Sequence, residues 1–301
     1  MIVNKLNIFS QNVCKNILII NSILKMYNHF DIILIQKLPW SIIWSIPSSA
    51  SSEGEVLVGS SHHPNWLSFA RPSISQLDYL RVLAYINICL SSLWFSLHRD
   101  IINHRDIILI SFFSKNVYFF IMNIYSDAFH STLKYLKNTK VNINNLILMT
   151  GDFNIRDSLW NPLFPHYSSI SDDLFILADL FNLDLSTPTD PTPTRYSDNP
   201  GESNLVTNLM FLRSRSSELN CHLIHLFWRL TSDHTPLTVT ISIEEEHVMT
   251  SKFSLSKNSE EEEKFIKEIT RVFKLLNNTI IQDQESLENV IDLLAASIKQ
   301  A

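Results

Sequence analysis

Glycine is scarce in this chain, with only four among 301 residues. Average usage of about 7% would give roughly 21. Tight turns and backbone positions with positive φ must therefore be filled by Asn, Ser and Asp, which adopt left-handed conformations less readily than glycine. We interpret the scarcity as sequence drift, as the bias of an AT-rich genome, or as both.

Long apolar runs and a signal sequence are also missing. The most apolar stretches, residues 107–113 and 117–124, have the length of strands, whereas a bilayer-spanning helix needs roughly 18 apolar residues. The N-terminal MIVNKLNIFSQNV has neither a long apolar core nor a small-residue cleavage site. We therefore expect neither a secretion signal nor a membrane partner.

Cysteine is rare as well, at positions 14, 89 and 221. Three scattered cysteines are too few for a disulfide framework or a cysteine-based zinc site, and this usage indicates a reducing, intracellular setting. Disorder is excluded for most of the chain, because 45% of the residues are hydrophobic and only 18% are charged.

The net charge of −6 argues weakly against nucleic-acid binding, but the charge is unevenly placed. From Glu244 onward there are 12 acidic and 7 basic residues, so this tail carries −5 of the total. The body before it is therefore almost neutral. A neutral body permits a local basic face without demonstrating one.

Short apolar runs bounded by polar residues dominate the chain up to about residue 243, and three segments have helical spacing. This pattern predicts an α/β fold of two packed sheets flanked by helices, in one domain spanning residues 1–243. The predicted strands are 5–11, 31–36, 55–59, 81–88, 93–98, 106–113, 117–124, 145–150, 205–212, 219–226 and 236–243, and the predicted helices are 16–27, 128–140 and 170–181.

The composition changes after residue 243, where an acidic linker leads into two amphipathic segments. Ser259 and Glu262 have the spacing of a capping box, and apolar residues recur at helical intervals over 265–276 and again over 287–298. The sequence given stops inside the second segment. We interpret residues 244–301 either as a piece that precedes a further domain or as a C-terminal helical appendage.

Four short motifs lie where a predicted strand meets a loop, which is where such scaffolds place functional side chains. In residues 151–154, GDFN, a carboxylate can take a proton from water and an amide can donate to a phosphoryl oxygen. In residues 232–234, SDH, an imidazole beside a carboxylate can transfer protons near neutral pH. Taken singly, each motif is more typical of an ordinary turn, and a strand-end Tyr usually packs in the core. The other two motifs are 11–12, QN, and 123–125, NIY.

Six motifs in this order resemble the endonuclease/exonuclease/phosphatase superfamily, which includes DNase I-like enzymes and apurinic/apyrimidinic endonucleases. The closer resemblance is to the endonuclease domain of non-LTR (LINE-type) retrotransposons, particularly fungal ones. It covers about residues 5–243 and implies a four-layer sandwich of two mostly antiparallel sheets between helices. The motifs are 11–12 QN, 34–40 LIQKLPW, 123–125 NIY, 151–154 GDFN with 159–162 LWNP, 208–211 NLMF and 232–237 SDHTPL.

The resemblance implies hydrolysis of a DNA phosphodiester with Mg²⁺ or Mn²⁺, nicking a target to prime reverse transcription. DNA would be the substrate, a downstream reverse transcriptase domain a possible partner, and the nucleus the location if the element functions. The implied roles are metal and phosphate contact for Asn12, phosphate binding for Tyr125 and Asn154, water activation for Asp152, metal binding for Asp233 and charge stabilisation for His234.

Two positions depart from the family pattern and predict impaired activity. Lys37 stands where the family has the Glu that is its main metal ligand, and an ammonium has no lone pair for a hard cation. At about 4 Å and an effective dielectric near 20 it would repel a dication by roughly 8 kcal/mol. Asn208 stands where the family has the Asp that orients the catalytic His, so we expect an altered tautomer at His234. From the missing carboxylate at Lys37 we expect weakened metal binding.

Two other functions stay open. One is a phosphatase acting on a small phosphoester, because the superfamily shares its core between both activities, although the 159–162 string favours DNA. The other is a non-catalytic protein that binds nucleic acid or a partner in the same groove, with Lys37 adding positive charge.

Overall fold

The computed structural model describes most of the body and little of the tail. The described residues are 5–39, 44–45, 57–58, 63–70, 80–90, 93–114, 117–139, 141, 143–161, 167–186, 193–197, 204–213, 222–223, 232–242, 264, 266, 267 and 270. The chain divides into two compact units, residues 1–246 and 247–301. In the second unit the four described residues are helical.

Two large sheets and one short strand pair make up the body, and all strands are numbered in chain order. The strands are β1 (Lys5–Asn12), β2 (Ile32–Gln36), β3 (Trp44–Ser45), β4 (Leu57–Val58), β5 (Trp66–Phe69), β6 (Val82–Asn87), β7 (Trp94–Leu97), β8 (Ile107–Phe113), β9 (Tyr118–Tyr125), β10 (Leu146–Asp152), β11 (Asp184–Leu185), β12 (Asn208–Leu212), β13 (His222–Leu223) and β14 (Leu237–Ser242). The helices are α1 (Ile17–Met26), α2 (Ser131–Thr139) and α3 (Ser169–Leu180).

The first sheet has the strand order β13-β14-β1-β2-β6-β5, and the second has β11-β12-β10-β9-β8-β7. Strands β3 and β4 form a separate antiparallel pair. Each large sheet contains one parallel pair, β1 with β2 and β9 with β10, and the other pairings are antiparallel. A parallel pair needs a crossover, and α1 and α2 supply the two crossovers.

Alternating residues of the strands build three apolar layers. The inner faces of both sheets share one buried cluster, to which Ile8 of β1 and Ile121 of β9 belong. The outer face of the first sheet packs Phe9 against α1, and the outer face of the second packs Phe211 against α3. The order is therefore helix, sheet, sheet, helix, which confirms the predicted two-sheet α/β sandwich flanked by helices.

The three predicted helices and the longer predicted strands are present, with ends within a few residues of the predicted ones. Strands β3, β5 and β11 were not predicted. The boundary near residue 243 and the two tail helices stay predictions, because that segment lies almost entirely outside the described residues. Among the described residues, no helix is long and apolar enough to cross a membrane.

Candidate active site

The topology brings the four motifs to one end of the two sheets. Asn12 ends β1 and Asp152 ends β10, and these central strands face each other across the sandwich. In the register of the second sheet, Asp152 pairs with Tyr125 on one side and with Asn208 on the other. In the first sheet, β14 runs antiparallel to β1, so Asp233 and His234 just before β14 lie beside the end of β1.

A buried amide joins the two sheets at this end. The Nδ2 group of Asn12 donates to Asp152 Oδ2 at 2.6 Å and lies 3.2 Å from His234 Nε2. The backbone N–H of Asn154 donates to Asp152 Oδ1 at 3.1 Å. Asn12, Asp152 and His234 are at most 3% exposed. The carboxylate is therefore held in one orientation by groups from both sheets.

The hydrogen bonds around Asn208 fix the tautomer of His234. The Nδ2 group of Asn208 donates to the carbonyl oxygen of Thr235 at 3.3 Å, so its Oδ1 faces His234 Nδ1 at 3.2 Å. Oδ1 can only accept, so Nδ1 carries the proton and Nε2 presents its lone pair to Asn12. An Asp at position 208 would select the same tautomer. This geometry does not support the altered tautomer expected from the sequence, and an Asn in place of the Asp removes the charge.

Burial lowers the pKa of His234 below its ordinary value, and the carboxylates of Asp152 and Asp233 offset this only in part. Nε2 lies 4.0 Å from Asp152 Oδ2 and 3.9 Å from Asp233 Oδ1. The imidazole is therefore neutral at neutral pH, and protonating it is less favourable than for a free histidine.

Tyr125 and Asn154 also lie beside Asp152. Burial and the nearby Asp152 carboxylate raise the pKa of Tyr125 to about 12, so its hydroxyl stays protonated and can donate. The guanidinium of Arg81 lies 4.8 Å from the Tyr125 ring centroid and pairs with Asp106 and Asp127. Asn154 has a φ of 51°, and its Nδ2 donates to the carbonyl of Ser126 at 2.6 Å.

Lys37 and Cys14 occupy the side of the site where a metal ligand was expected. Lys37 directly follows β2 with a φ of 54°, and its Nζ lies 3.8 Å from Cys14 Sγ. The Cys14 thiol donates to Asp233 Oδ1, and the Cys14 backbone N–H donates to Asn12 Oδ1 at 2.9 Å. Burial, with the Asp233 hydrogen bond, raises the pKa of Cys14 to about 12, so the thiol is protonated at neutral pH.

Asp233 stays ionised in this cluster. Burial alone would raise the pKa of its carboxyl, but His234, the Cys14 thiol, Lys37 and Arg195 outweigh burial and bring the pKa below its ordinary value. The Arg195 Nε lies 3.6 Å from Asp233 Oδ2. A carboxylate surrounded by donors is thus the one anionic group on this side of the site among the described residues.

The atoms that could serve as metal ligands on this side of the site do not fit Mg²⁺ in this arrangement. Of the three positions that the resemblance implies, only Asp233 offers a carboxylate, and its two oxygens face a thiol and a guanidinium. The Asn12 oxygen accepts from a backbone N–H, and position 37 brings an ammonium. Mg²⁺ requires oxygen ligands in near-octahedral geometry and binds thiols poorly, so the expected weakening of metal binding stays a prediction that this geometry supports.

The structure brings together all eight residues named from the sequence. Cys14 and Arg195 were not named, although both touch Asp233. Cys14 could have been found from its position two residues after Asn12, whereas nothing local marks Arg195, which reaches the site through an isolated bridge to His234. The 159–162 string serves the fold in part, because the Asn161 side chain exchanges two hydrogen bonds with the backbone of Val206.

No protein-family model matches this sequence, and no curated protein matches it. The solved structures that resemble its fold include two endonucleases. The endonuclease domain of TRAS1, a telomere-specific non-LTR retrotransposon, is 13% identical, with a TM-score of 0.52 over 79% of this chain and 99% of that one. The AP endonuclease LMAP from Leishmania major is 11% identical, with a TM-score of 0.56 over 80% of this chain and 89% of that one. The chain therefore has the fold of these two endonucleases, a DNase I-like sandwich.

Proposed function

We propose that the body of this chain is a retrotransposon-type endonuclease domain that hydrolyses DNA phosphodiesters, and that its Mg²⁺- or Mn²⁺-dependent activity is impaired in this copy. The observation that carries the proposal is the buried junction in which Asn12 bridges Asp152 and His234. A core packed for stability alone has no need of a carboxylate, an imidazole and an amide meeting across two sheets. The endonuclease named among the similar structures supports the choice of DNA as substrate.

The donors around Asp152 suit a tetrahedral or pentacoordinate phosphorus centre. The Asn12 and Asn154 amides both donate to Asp152 Oδ2, and the raised pKa keeps the Tyr125 hydroxyl protonated. Neutral donors held by the fold can bind non-bridging oxygens and stabilise the charge that grows on them. Asp152 keeps lone pairs with which to orient a water and accept its proton.

His234 contributes less here than it would beside a carboxylate at position 208. A donor at Nε2 towards phosphate requires the imidazolium, which the neutral Asn208 does not stabilise. Desolvation further disfavours that form. The imidazole of His234 therefore has the orientation that this role needs but is mostly uncharged. We infer that this lowers the activity less than the missing carboxylate at position 37 does.

One observation favours a second candidate, a non-catalytic binder. Lys37 and Arg195 place two cationic side chains around Asp233, where a phosphate group could be held by charge alone. Such a protein would bind DNA without cutting it. The small-phosphoester alternative has no comparable support from the described residues.

Cleavage of matched substrates separates these functions. The full chain is incubated at millimolar Mg²⁺ with supercoiled plasmid and, in parallel, with a small aryl phosphomonoester. We expect slow plasmid nicking, no release from the monoester, and loss of nicking in His234→Ala. The matched control is His29→Ala, because His29 is an exposed histidine just before β2, at the end of that strand opposite the site.

Each other outcome has a definite reading. Nicking that survives His234→Ala at the rate of the His29→Ala control would place the activity outside this site and contradict the proposal. Monoester hydrolysis lost in His234→Ala would favour the phosphatase. Salt-sensitive DNA binding without cleavage, even after a carboxylate is restored at position 37, would favour the binder.

A further inference from the structure

Three side chains at the Lys37 side of the site form a ligand set of a different chemical kind. Cys14, Asp233 and His234 each offer one ligand atom, and these atoms lie within 4.8 Å of one another. We propose that this set binds a single thiophilic divalent ion of the Zn²⁺ class, in place of the hard Mg²⁺ that the fold family uses. Sequence spacing does not indicate such a site, because only one of the three ligands is cysteine.

Two of the three ligands, the His234 imidazole and the Asp233 carboxylate, already have the form that a metal requires. Nε2 of His234 presents a lone pair, because Nδ1 donates its hydrogen to Asn208. Metal-binding histidines usually hold their second nitrogen in this way. The far oxygen of Asp233 faces Arg195 at 3.6 Å, and the Cys14 sulfur faces Lys37 at 3.8 Å. Every ligand therefore has an outer partner that fixes its orientation.

Binding of the ion displaces the thiol proton of Cys14. The Cys14 thiol proton lies between Sγ and Asp233 Oδ1, which are in direct contact. Zinc-like ions bind sulfur at about 2.3 Å and nitrogen or oxygen at about 2.0–2.2 Å. Tetrahedral ligands are then about 3.3–3.8 Å apart, so Sγ and Oδ1 move outward by roughly 1 Å as the proton leaves to solvent. Three protein ligands leave a fourth position open.

Charge decides between the two classes of ion. With Mg²⁺ the thiol stays protonated, so Asp233 alone offsets the dication and a net positive centre faces the Lys37 ammonium. With a thiophilic ion the Cys14 thiolate and the Asp233 carboxylate cancel both charges. Lys37 then faces a neutral complex and lies beside its sulfur. The same lysine that disfavours Mg²⁺ is thus compatible with a thiolate-bound ion.

This proposal is independent of the nuclease function, since it requires only these three ligands. A bound ion would also occupy His234 Nε2 and keep it from a phosphate oxygen. It would therefore inhibit DNA cleavage rather than support it.

The test uses Co²⁺ as a spectroscopic probe on the full chain without DNA. We expect one Co²⁺ per chain, a thiolate-to-cobalt charge-transfer band in the near ultraviolet and visible bands of a four-coordinate ion. Zn²⁺ should displace the probe, whereas millimolar Mg²⁺ should not. Asn208→Ala should keep the charge-transfer band and weaken Co²⁺ binding roughly 10- to 100-fold, because it removes the partner of His234.

Cysteine variants assign the sulfur. The double variant Cys89→Ser with Cys221→Ser should keep the full band, and Cys14→Ser should lose it while retaining the circular dichroism of the unaltered chain. Alkylation of the unaltered chain gives a second measurement that requires no variant: Zn²⁺ should slow modification of Cys14 and not that of Cys89, which is exposed. No band in the unaltered chain, a band that survives Cys14→Ser, displacement by Mg²⁺, or no protection of Cys14 would overturn the proposal.

Discussion

Gly151 is the residue at which β10 approaches β9 too closely for any side chain. It has a φ of +151°, and a Cβ added there would lie 1.8 Å from the carbonyl oxygen of Ile124. Neither atom can move far, because Gly151 pairs with Ile124 in the centre of the second sheet. We predict that Gly151→Ala lowers the free energy of unfolding by about 3 kcal/mol or more, measured by urea denaturation. A loss below about 1 kcal/mol would contradict this account of the strand pair.

The ionisation of Asp127 makes the free energy of unfolding depend on pH. Partial burial raises the pKa of its carboxyl, but hydrogen bonds from the Ser131 backbone and hydroxyl, and from Arg81, outweigh burial and bring the pKa to about 2. A folded-state pKa below the unfolded one adds stability that is complete well above pH 4 and is lost as the pH falls through 4 towards 2. We predict that Asp127→Asn costs roughly 1–2 kcal/mol at pH 7 and almost nothing at pH 2.

The measurement is chemical denaturation at a series of pH values. Asp173→Asn is the control, because Asp173 pairs only with the exposed Lys137 among the described residues and such surface pairs contribute about 0–1 kcal/mol. A cost at Asp127 that did not shrink with falling pH would show that the Arg81 and Ser131 contacts do not carry the effect.

The position of a single site residue was predictable where that residue lies at the end of an apolar strand. Asp152 follows a buried run and therefore had to lie at a sheet edge, and the same argument placed Asn12. The orientation of the Asn208 amide was not predictable, since a carbonyl 27 residues away in sequence fixes it. The Cys14–Asp233 contact spans 219 residues, and no local pattern encodes such a pair.

Helix α1 connects the parallel strands β1 and β2, so its start helps fix the end of β1 on which Asn12 lies. Its N-cap is Asn16, whose side-chain oxygen accepts from the backbone N–H of Leu18 at 2.9 Å. We predict that Asn16→Ala lowers the free energy of unfolding by about 1 kcal/mol, whereas Asn16→Asp costs less than half of that, because Asp also caps. The melting temperatures of both variants test this.

Ser168 offers a matched cap at the start of α3. Its Oγ accepts from Ile170 N at 3.3 Å, a longer bond than that of Asn16. Ser168→Ala should therefore cost no more than Asn16→Ala. A larger loss at Ser168 would mean that the cap of α1 contributes less than its geometry indicates.

A strand was predictable when its own residues form a recognisable pattern, and it was not predictable when only its pairing with another strand defines it. The β8 and β9 strands are long apolar runs, and each can be predicted from its local sequence alone. Strand β5 is a four-residue run that pairs with β6 in the described part of the chain, and its half-exposed pattern gives little periodic signal. Strands β3 and β11 are two residues long, and only their partners across the sheet define them. Very short strands are products of tertiary structure and leave no local pattern.

At the scale of the whole molecule, the pattern of short apolar runs predicted two packed sheets with helices, and the order of the motifs added the resemblance to a known fold. The two parallel crossovers explain why that order works. They deliver the ends of β1, β2, β9 and β10 to the same edge, and the antiparallel neighbours β12 and β14 begin there. The sandwich therefore brings motifs that are distant in sequence together in one site.

The central claim is that this site hydrolyses DNA phosphodiesters and is impaired mainly by Lys37, with Asn208 second. The most direct test is Mg²⁺-dependent nicking of supercoiled plasmid by four chains: unaltered, Lys37→Glu, Asn208→Asp and the double variant. We predict a small gain for Lys37→Glu, none for Asn208→Asp because the metal ligand is still missing, and roughly 100-fold or more for the double variant. Rapid nicking by the unaltered chain, or a double variant that melts like the unaltered chain and still does not cut, would contradict the claim.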